Sequence, residues 1–214
     1  MKARLLSVNV GLRRPFEYKS HQAVSAIWKR PVEGRVLARG VNLEGDEQAD
    51  RSVHGGPDKA VYAYAQEDYD WWGGELGREL ECGEFGENLT TEGLDLTNAL
   101  VGERWEVGST VLEVSEARMP CWKLGFRVSD KHFPRRFLAA GRPGAYLRIL
   151  QEGDLGSGDE IRVVHRPQHD LTMGDLSRIY AGDRQEVERM LGVPQLSASW
   201  REWAEEWIAR HADQ

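Results

Sequence analysis

The sequence is poor in cysteine, and this limits what its thiols can do. Only two cysteines occur among 214 residues, Cys82 and Cys121, and they form no Cys-x-x-Cys pair. Two distant cysteines cannot build a disulfide framework or a ribbon-type zinc site. A chain of this length buries a sizeable core without such crosslinks. A chemically active cysteine in this protein would therefore act as a single thiolate.

Long apolar runs and an excess of basic residues are also lacking. No stretch approaches the roughly 18 apolar residues that a membrane-spanning helix needs. The N-terminal segment MKARLLSVNVGLRRPFEY is only briefly apolar and predicts no signal peptide. The formal net charge of −7 gives no overall electrostatic reason to bind nucleic acid or an anionic membrane. We therefore expect a cytoplasmic protein with reduced cysteines and with neither nucleic acid nor membrane as a partner.

Short apolar runs with alternating polarity fill the chain up to about residue 166. Many short strands with few helices indicate a β-barrel or a β-sandwich. Gly-rich turns separate the runs, notably at 107–109 and 153–159, and helices are expected at about 67–80 and 134–140. The runs that predict strands are ARLLSVNV, VSAIWKRPV, GRVLARGVNLEG, KAVYAYAQ, RWEVGSTVLEVSEARM, GAYLRILQEG and DEIRVVHR.

The character of the chain changes after residue 166, where HRPQHD is a candidate linker. We predict a β-domain over 1–166 and a small domain of three helices over 167–214. The first helix begins with a capping-box pattern at Thr172 and Asp175. The predicted helices cover about 171–180, 183–191 and 199–211, with Asp183 and Ser199 as the expected caps of the last two.

The last helix carries an aromatic stripe. Trp200, Trp203 and Trp207 are spaced by three and then four residues, so they share one helix face. The simplest interpretation is a core face that docks the helices. The same stripe would also suit a reductase partner or a second subunit, so a homodimer is possible.

The segment 45–60 combines glycine with charged residues. Gly55 and Gly56 let the backbone approach a ligand closely, and their N–H groups suit an anion-binding nest. Arg51, His54 and Lys59 would add positive charge there. The alternative is an ordinary turn with a solvated lysine.

The segment 85–90 places Glu87 and Asn88 directly after Gly86. The amide of Asn88 suits recognition of the edge of a heterocycle, because it offers two donors and an acceptor. Taken alone, the segment is equally consistent with a plain turn.

The segment 118–136 concentrates positive charge around a cysteine. It carries six Lys or Arg residues against the single acid Asp130, and Arg118 and Lys123 flank Cys121. Neighbouring cations stabilise a thiolate, the form that binds metals. A solvated basic face is the alternative. Cys82 lies among glutamates, which raise the pKa of a thiol, and it is interpreted as structural.

Taken in order, these motifs resemble the MOSC family, named for the C-terminal domain of molybdenum-cofactor sulfurase, and within it the stand-alone YiiM-like branch. The matching patterns are G-D-x-Q-A-D from residue 45, H-G-G-x-x-K-A from 54, F-G-E-N-L from 85 and P-C-x-K-L from 120. The later GAYLRIL and GDEI segments also fit, and the three-helix tail extends the resemblance to nearly the whole chain.

The resemblance implies a MOSC-type β-barrel, followed by a small three-helix C-terminal domain, that binds the molybdenum cofactor (molybdopterin). Cys121 would be the protein ligand to molybdenum and a catalytic residue, and the HGG and GENL motifs would line the pocket. YiiM-like proteins are associated with the reduction of N-hydroxylated bases such as hydroxylaminopurines. The residues expected to bind the cofactor are Arg51, His54, Gly55, Gly56, Lys59, Asn88, Arg118 and Lys123.

The first hypothesis is thus a molybdenum-dependent oxidoreductase that reduces N-hydroxylated bases or amines. His54 and Glu87 are the candidate proton relays, and both are predicted to be catalytic. An external flavin or iron–sulfur protein would supply electrons, because the sequence has no Rossmann glycine motif and too few cysteines for a cluster. The alternatives are a non-catalytic cofactor carrier, a persulfide carrier that uses Cys121, and a zinc hydrolase, which lacks a convincing third ligand.

Overall fold

The computed structural model describes residues 2–50 and 55–211, which form thirteen strands, six α-helices and two short 3-10 helices. No helix in this described part of the chain is long and apolar enough to cross a membrane. The strands are β1 (Arg4–Val10), β2 (Arg14–Tyr18), β3 (His21–Ser25), β4 (Arg30–Pro31), β5 (Arg35–Arg39), β6 (Asn42–Leu43), β7 (Val61–Ala65), β8 (Leu89–Glu92), β9 (Arg104–Val107), β10 (Thr110–Glu116), β11 (Ala145–Gln151), β12 (Gly153–Gly156) and β13 (Ile161–His165). The helices are α1 (Gln66–Leu76), α2 (Trp122–Val128), α3 (Phe133–Ala140), α4 (Met173–Ala181), α5 (Val187–Leu191) and α6 (Ala198–His211), with 3-10 turns at Pro57–Lys59 and Arg184–Glu186.

Eight strands form one mixed sheet in the order β13-β9-β10-β11-β7-β8-β1-β4. β7 and β8 are parallel, and the other neighbours are antiparallel. The sheet curls until its two ends meet: Leu5 N donates to the Asp159 carbonyl at 2.9 Å, and Ile161 N donates to the Ala3 carbonyl at 2.9 Å. An antiparallel bridge between Arg4 and Glu160 completes this contact. The predicted mainly β fold with a helical C-terminal part is confirmed.

The central strand β7 is buried along its whole length because both of its faces are covered. Val61 and Ala63 point into the main aliphatic core inside the curled sheet. Tyr62 and Tyr64 point the other way, into an aromatic cluster against α1, α2 and α3 that also contains Trp72. The alternation of small aliphatic and aromatic residues in VYAYA therefore divides the molecule into two packed layers.

Several predicted elements differ from the observed ones. The run 24–32 is not one strand, because β3 ends at Ser25 and the chain is irregular until Arg30. The region 153–159, predicted as a turn, begins with β12, which pairs with β5. The hairpin of β2 and β3, the strand β8 and the helix α2 were not predicted.

The C-terminal helices pack against the barrel through a shared aliphatic cluster that includes Leu176 and Trp200. The predicted capping box at Thr172 and Asp175 is confirmed in both directions. Asp183 occupies the predicted N-cap position, at the start of the 3-10 turn, but its carboxylate binds Arg178 and makes no cap hydrogen bond. The other proposed cap, Ser199, is wrong, because α6 begins one residue earlier, at Ala198.

Candidate functional site

A cleft at one end of the curled sheet brings together segments that are far apart in the sequence. Its walls come from residues within 25–29, 46–50, 59–62, 86–88 and 118–123, together with Tyr146 on β11. Four of the residues predicted to bind the cofactor, Lys59, Asn88, Arg118 and Lys123, therefore lie in one cleft with Cys121. The lining residues lie in loops, in the 3-10 turn, at the start of α2 and on strands of the sheet. Loops carried by a folded scaffold are a common place for binding sites.

Cys121 lies in the short connection between β10 and α2. Its backbone is extended, with φ −113°, and its carbonyl accepts the first helical hydrogen bond, from Leu124 N at 3.0 Å. The residue is half-buried and lines the cleft. Cys82 is absent from this lining, and burial raises the pKa of its thiol. Cys121 is therefore the cysteine placed to bind a ligand in the cleft.

Arg118 is a buried cation in the wall of the cleft. Only 6% of the residue is exposed, one guanidinium nitrogen donates to the Phe85 carbonyl, and the guanidinium carbon lies 4.8 Å from the centre of the Tyr62 ring. Burial lowers its pKa, but Tyr62, Tyr146 and Cys121 raise it above the ordinary value, so the side chain stays charged.

No carboxylate within residues 2–50 and 55–211 forms an ion pair with Arg118. A buried charge is costly unless an opposite charge or several hydrogen bonds compensate it. An anionic ligand in the cleft would supply that compensation. Arg118 is thus the strongest indication of what the cleft binds.

Two lysines extend the positive charge toward the opening. Lys59, at the end of the 3-10 turn, places Nζ 3.2 Å from Oε1 of the buried Glu116. Lys123 places Nζ 3.3 Å from the Val24 carbonyl. Both lysines are half-buried and line the same cleft as Cys121. Arg118, Lys59 and Lys123 thus line the same cleft as the Cys121 thiol.

A buried ion pair that the sequence did not reveal lies in the cleft wall. Lys29 Nζ lies 2.5 and 2.6 Å from the two carboxylate oxygens of Asp46. Burial lowers the pKa of Lys29, and Asp46 opposes that effect. Asp46 also accepts from Gly11 N at 2.7 Å and from Asn88 Nδ2 at 3.0 Å. The pair therefore ties together three of the segments that form the cleft.

Asn88 lines the cleft but already uses both of its donors. Its Nδ2 donates to the Asn9 carbonyl at 3.2 Å as well as to Asp46, and its Oδ1 accepts from Tyr62 N at 3.1 Å. The prediction that Asn88 reads the edge of a heterocycle is therefore corrected. Because its N–H groups are engaged, Asn88 positions the wall rather than donating to a ligand.

Glu87 does not line the cleft, and the expectation that it relays protons to a bound substrate is corrected. It is fully buried, and its Oε1 accepts from Tyr69 Oη at 2.7 Å, Gly83 N at 2.5 Å and Thr90 Oγ1 at 2.8 Å. Burial raises the pKa of Glu87, and these hydrogen bonds lower it in part. The carboxyl group organises the interior behind the cleft and has no direct access to a ligand.

Gly55 and Gly56 are also absent from the cleft lining. Gly56 N donates to Gln48 Oε1 at 3.2 Å, and a Cβ atom on Gly55 would lie 2.4 Å from the same oxygen. Gln48 thus lines the cleft and contacts both glycines, and the anion nest, which adjoins the undescribed residues 51–54, stays a prediction. The predictions for Arg51 and His54 lie outside the described residues.

Sequence reasoning missed Lys29, Tyr62 and Tyr146, and it placed Asp46 and Gln48 in the G-D-x-Q-A-D pattern without assigning them to the site. A weak signal existed for Lys29, a lysine within the apolar run AIWKRP, where a charge is unusual unless it is paired. Tyr62 and Tyr146 lie on strands that were predicted, but only the sheet order places β7 beside β11. Long-range pairing of this kind has no local signature.

Two family models match the chain. Residues 50–162 match the MOSC domain, and residues 181–211 match the YiiM-like 3-alpha helix domain. Among the described residues, no group of three or more His, Cys, Asp or Glu side chains could hold a metal ion.

Relatives and solved structures agree with this match. The chain is 36% identical to the uncharacterised protein YflK of Bacillus subtilis over 200 residues, 92% of this chain and 90% of that protein. It is 34% identical to a protein of Gibberella moniliformis named as a reductase over 162 residues, 74% of this chain but 29% of that protein. The crystal structure of YiiM from Geobacillus stearothermophilus superposes with a TM-score of 0.79 at 30% identity, covering 95% of this chain and 98% of that chain.

Proposed function

This chain belongs to the MOSC domain family, and we propose that it holds a molybdenum cofactor in the cleft beside Cys121 and reduces N-hydroxylated bases or amines. The observation that carries the proposal is that Cys121 and the buried guanidinium of Arg118 line the same cleft. Arg118 has no ionic partner in the described part of the chain. The cleft thus offers a thiol that can bind a soft metal and a buried cation whose charge an anionic ligand would neutralise.

The residues present fit a molybdopterin. Such a cofactor carries a metal held by sulfur, for which a thiolate is a well-matched ligand, and a phosphate, for which cations are needed. Cys121 would hold the metal. Arg118, Lys59 and Lys123 would hold the anionic end, with Arg118 the most effective because it is the most buried.

Reduction of an N-hydroxyl group consumes two electrons and two protons, replaces the N–O bond by N–H, and releases water. When bound, the cofactor would supply the two-electron chemistry that ordinary side chains lack. Tyr146 would donate a hydrogen bond in the cleft, since burial raises the pKa of its phenol to about 12 and the hydroxyl stays protonated at neutral pH. The Lys29–Asp46 pair would keep the wall rigid while ligands exchange.

The electrons would come from a separate flavin or iron–sulfur protein. The chain itself has only two cysteines, too few to hold a four-cysteine cluster. The relative named as a reductase supports reduction as the type of reaction, although the match covers only 29% of that longer protein.

The test is the molybdenum and pterin content of the protein purified from cells that make the cofactor, followed by reduction of 6-hydroxylaminopurine with reduced viologen. Cys121→Ser is compared with the wild type. Cys82→Ser is the matched control, because Cys82 is also half-buried but lies outside the cleft lining. Arg118→Met removes the buried charge while keeping an apolar side chain.

We expect molybdenum, pterin and turnover in the wild type and in Cys82→Ser. Cys121→Ser should lose turnover. Arg118→Met should weaken cofactor binding roughly tenfold or more and so lower the molybdenum and pterin content, since a hydrogen bond to a charged group contributes about 1.5–3 kcal/mol. Absence of both molybdenum and pterin from the wild type would overturn the proposal and direct attention to a persulfide on Cys121. Cofactor without turnover would favour a carrier.

A further inference from the structure

A second cavity lies between the barrel and the C-terminal helices, directly beside the Cys121 cleft. Lys59, Met119 and Tyr146 line both cavities and form their common wall. The remaining lining is contributed by Glu116 of β10 and by residues of α4 and α6. The C-terminal helices therefore build part of a site that opens next to the proposed reaction centre.

Three aromatic rings form the helical side of this cavity. The ring centres of Tyr180, Trp200 and Trp203 lie 5.7–5.8 Å from one another. Trp200 is 6% exposed, whereas Tyr180 is 38% exposed. Arg184 lies 5.0 Å from the centre of the Trp203 ring. Such a cluster presents flat apolar surfaces that are suited to a planar ligand.

A buried carboxylate provides the polar side of the cavity. Glu116 is 2% exposed, and its Oε1 lies 3.2 Å from Lys59 Nζ. Its Oε2 accepts a long hydrogen bond of 3.4 Å from Ser199 Oγ, and the Ser197 side chain also hydrogen-bonds to the carboxylate. A carboxylate has about four acceptor positions. Glu116 can thus accept N–H groups from a ligand in addition to the contacts it already makes.

We propose that this cavity binds the organic part of the substrate, and that its ligands are planar aromatic nitrogen heterocycles with N–H donors. The rings of Tyr180 and Trp203 would stack on the heterocycle, and Glu116 would accept its N–H groups. Met119 lines both cavities and lies two residues from Cys121 along the chain, so a ligand held here would lie beside the Cys121 cleft. The role as a substrate site rests on the proposed function, whereas binding of the heterocycle does not.

The test is calorimetric titration of adenine, as the probe, into the full-length protein and its variants. Trp203→Leu removes one stacking surface, and Tyr180→Leu removes another at a more exposed position. Trp207→Leu is the matched control, because Trp207 lies on the same helix and is half-buried but is absent from the cavity lining. Thermal unfolding of each variant verifies that it is folded.

We expect adenine to bind the wild type and Trp207→Leu with dissociation constants that agree within about twofold. Trp203→Leu and Tyr180→Leu should each weaken binding by roughly tenfold, the scale of one base–aromatic stacking contact. Equal weakening in Trp207→Leu, or no adenine binding to the wild type, would overturn the inference.

A kinetic comparison separates this inference from the proposed function. In Trp203→Leu, the KM for 6-hydroxylaminopurine should rise roughly tenfold, while the KM for the ring-free substrate N-hydroxyurea and the molybdenum content stay unchanged. Loss of adenine binding in the variants of a protein that lacks molybdenum and turnover would uphold the cavity while refuting the reductase. Turnover with KM values unaffected by Trp203→Leu would uphold the reductase while refuting the role of this cavity in substrate binding.

Discussion

Charged side chains buried around the cleft differ in what offsets the cost of their burial. Asp46 neutralises Lys29, and Arg118 has a carbonyl and aromatic rings as neighbours. Oε1 of Glu87 accepts three hydrogen bonds, whereas its Oε2 has no hydrogen-bond partner in the described part of the chain. A carboxyl group that is only half satisfied in this way binds a proton more tightly than an exposed one.

The first prediction concerns the pH dependence of stability and the variant Glu87→Gln. Burial raises the pKa of Glu87 above its ordinary value of 4.5, so the folded state binds a proton that the unfolded state has already lost. The free energy of unfolding contributed by this group therefore decreases as pH rises from 4.5 through the folded pKa. Glu87→Gln should remove this decrease, which urea unfolding at a series of pH values measures.

Glu75→Gln serves as the control, because Glu75 is exposed on α1. Its stability should follow the wild type across the series. A curve for Glu87→Gln that also remains parallel to that of the wild type would contradict this prediction, since Glu87 would then titrate at the same pH in both states.

At the scale of elements, α2 connects the Cys121 segment to the aromatic layer, and Gly125 is the point of closest packing. A Cβ atom there would lie 2.8 Å from the Asp130 carbonyl oxygen and 2.9 Å from Pro134 Cδ, neither of which is the end of a flexible side chain. The glycine is therefore required by the tight turn from α2 into α3.

The second prediction compares two glycine-to-alanine variants in helices. Gly125→Ala should lower the free energy of unfolding by about 1–3 kcal/mol because it overpacks this turn. Gly74→Ala, in α1, should raise it by roughly 0.5–1 kcal/mol, because nothing lies within 4 Å of its added Cβ and alanine favours helix. Chemical denaturation measures both, and equal effects would show that local space does not decide them.

The strands that the sequence predicted lie in short apolar runs most of whose residues are buried, such as β1, β7 and β10. The hairpin of β2 and β3 was missed because Lys19 and Ser20 form its turn at φ 48° and 63°, positions where Gly or Asn would have been the signal. α2 was missed because it is short and exposes Trp122 and Phe126, which contact the aromatic side chains of that hairpin rather than a core.

The candidate site was predictable where one segment carries the chemistry, as around Cys121. It was not predictable where two distant segments must meet. Lys29 and Asp46 form their ion pair only after folding. The hydrogen bond from Gly56 N to Gln48 likewise exists only in the folded chain. Burial decides the role of Glu87, and a local sequence pattern does not show which glutamate will be enclosed.

At the scale of the whole molecule, the aliphatic core runs without interruption from the barrel into the C-terminal helices. The backbone continues this connection, since Val101 N donates to the Leu171 carbonyl at 3.1 Å and Met173 N donates to the Ala99 carbonyl at 3.0 Å. The apolar surface of either part is therefore covered by the other.

The third prediction is that a chain ending at Arg166 does not form a stable barrel. Removal of the helices would expose apolar surface of the barrel to water, and each Å² of apolar surface that loses its burial costs about 25 cal/mol of stability. The full-length protein should unfold in one transition, with fluorescence and circular dichroism coincident. As a control, full-length Arg178→Ala breaks only exposed ion pairs and should change stability by less than about 1 kcal/mol.

A well-dispersed NMR spectrum from residues 1–166, with an unfolding midpoint equal to that of the full chain, would refute the shared core. It would instead show that the barrel and the helices are stable separately.

The closure of the sheet also determines when, during synthesis of the chain, the cleft becomes complete. β11 fits between β7 and β10, and the segment around Glu160 returns to β1, so early and late parts of the chain are neighbours. Chains are synthesised from the N-terminus. No nascent chain that stops before Tyr146 has the complete cleft. A ligand that contacts the whole lining can therefore be bound only after β11 has been synthesised, so any such loading would follow the synthesis of most of the barrel.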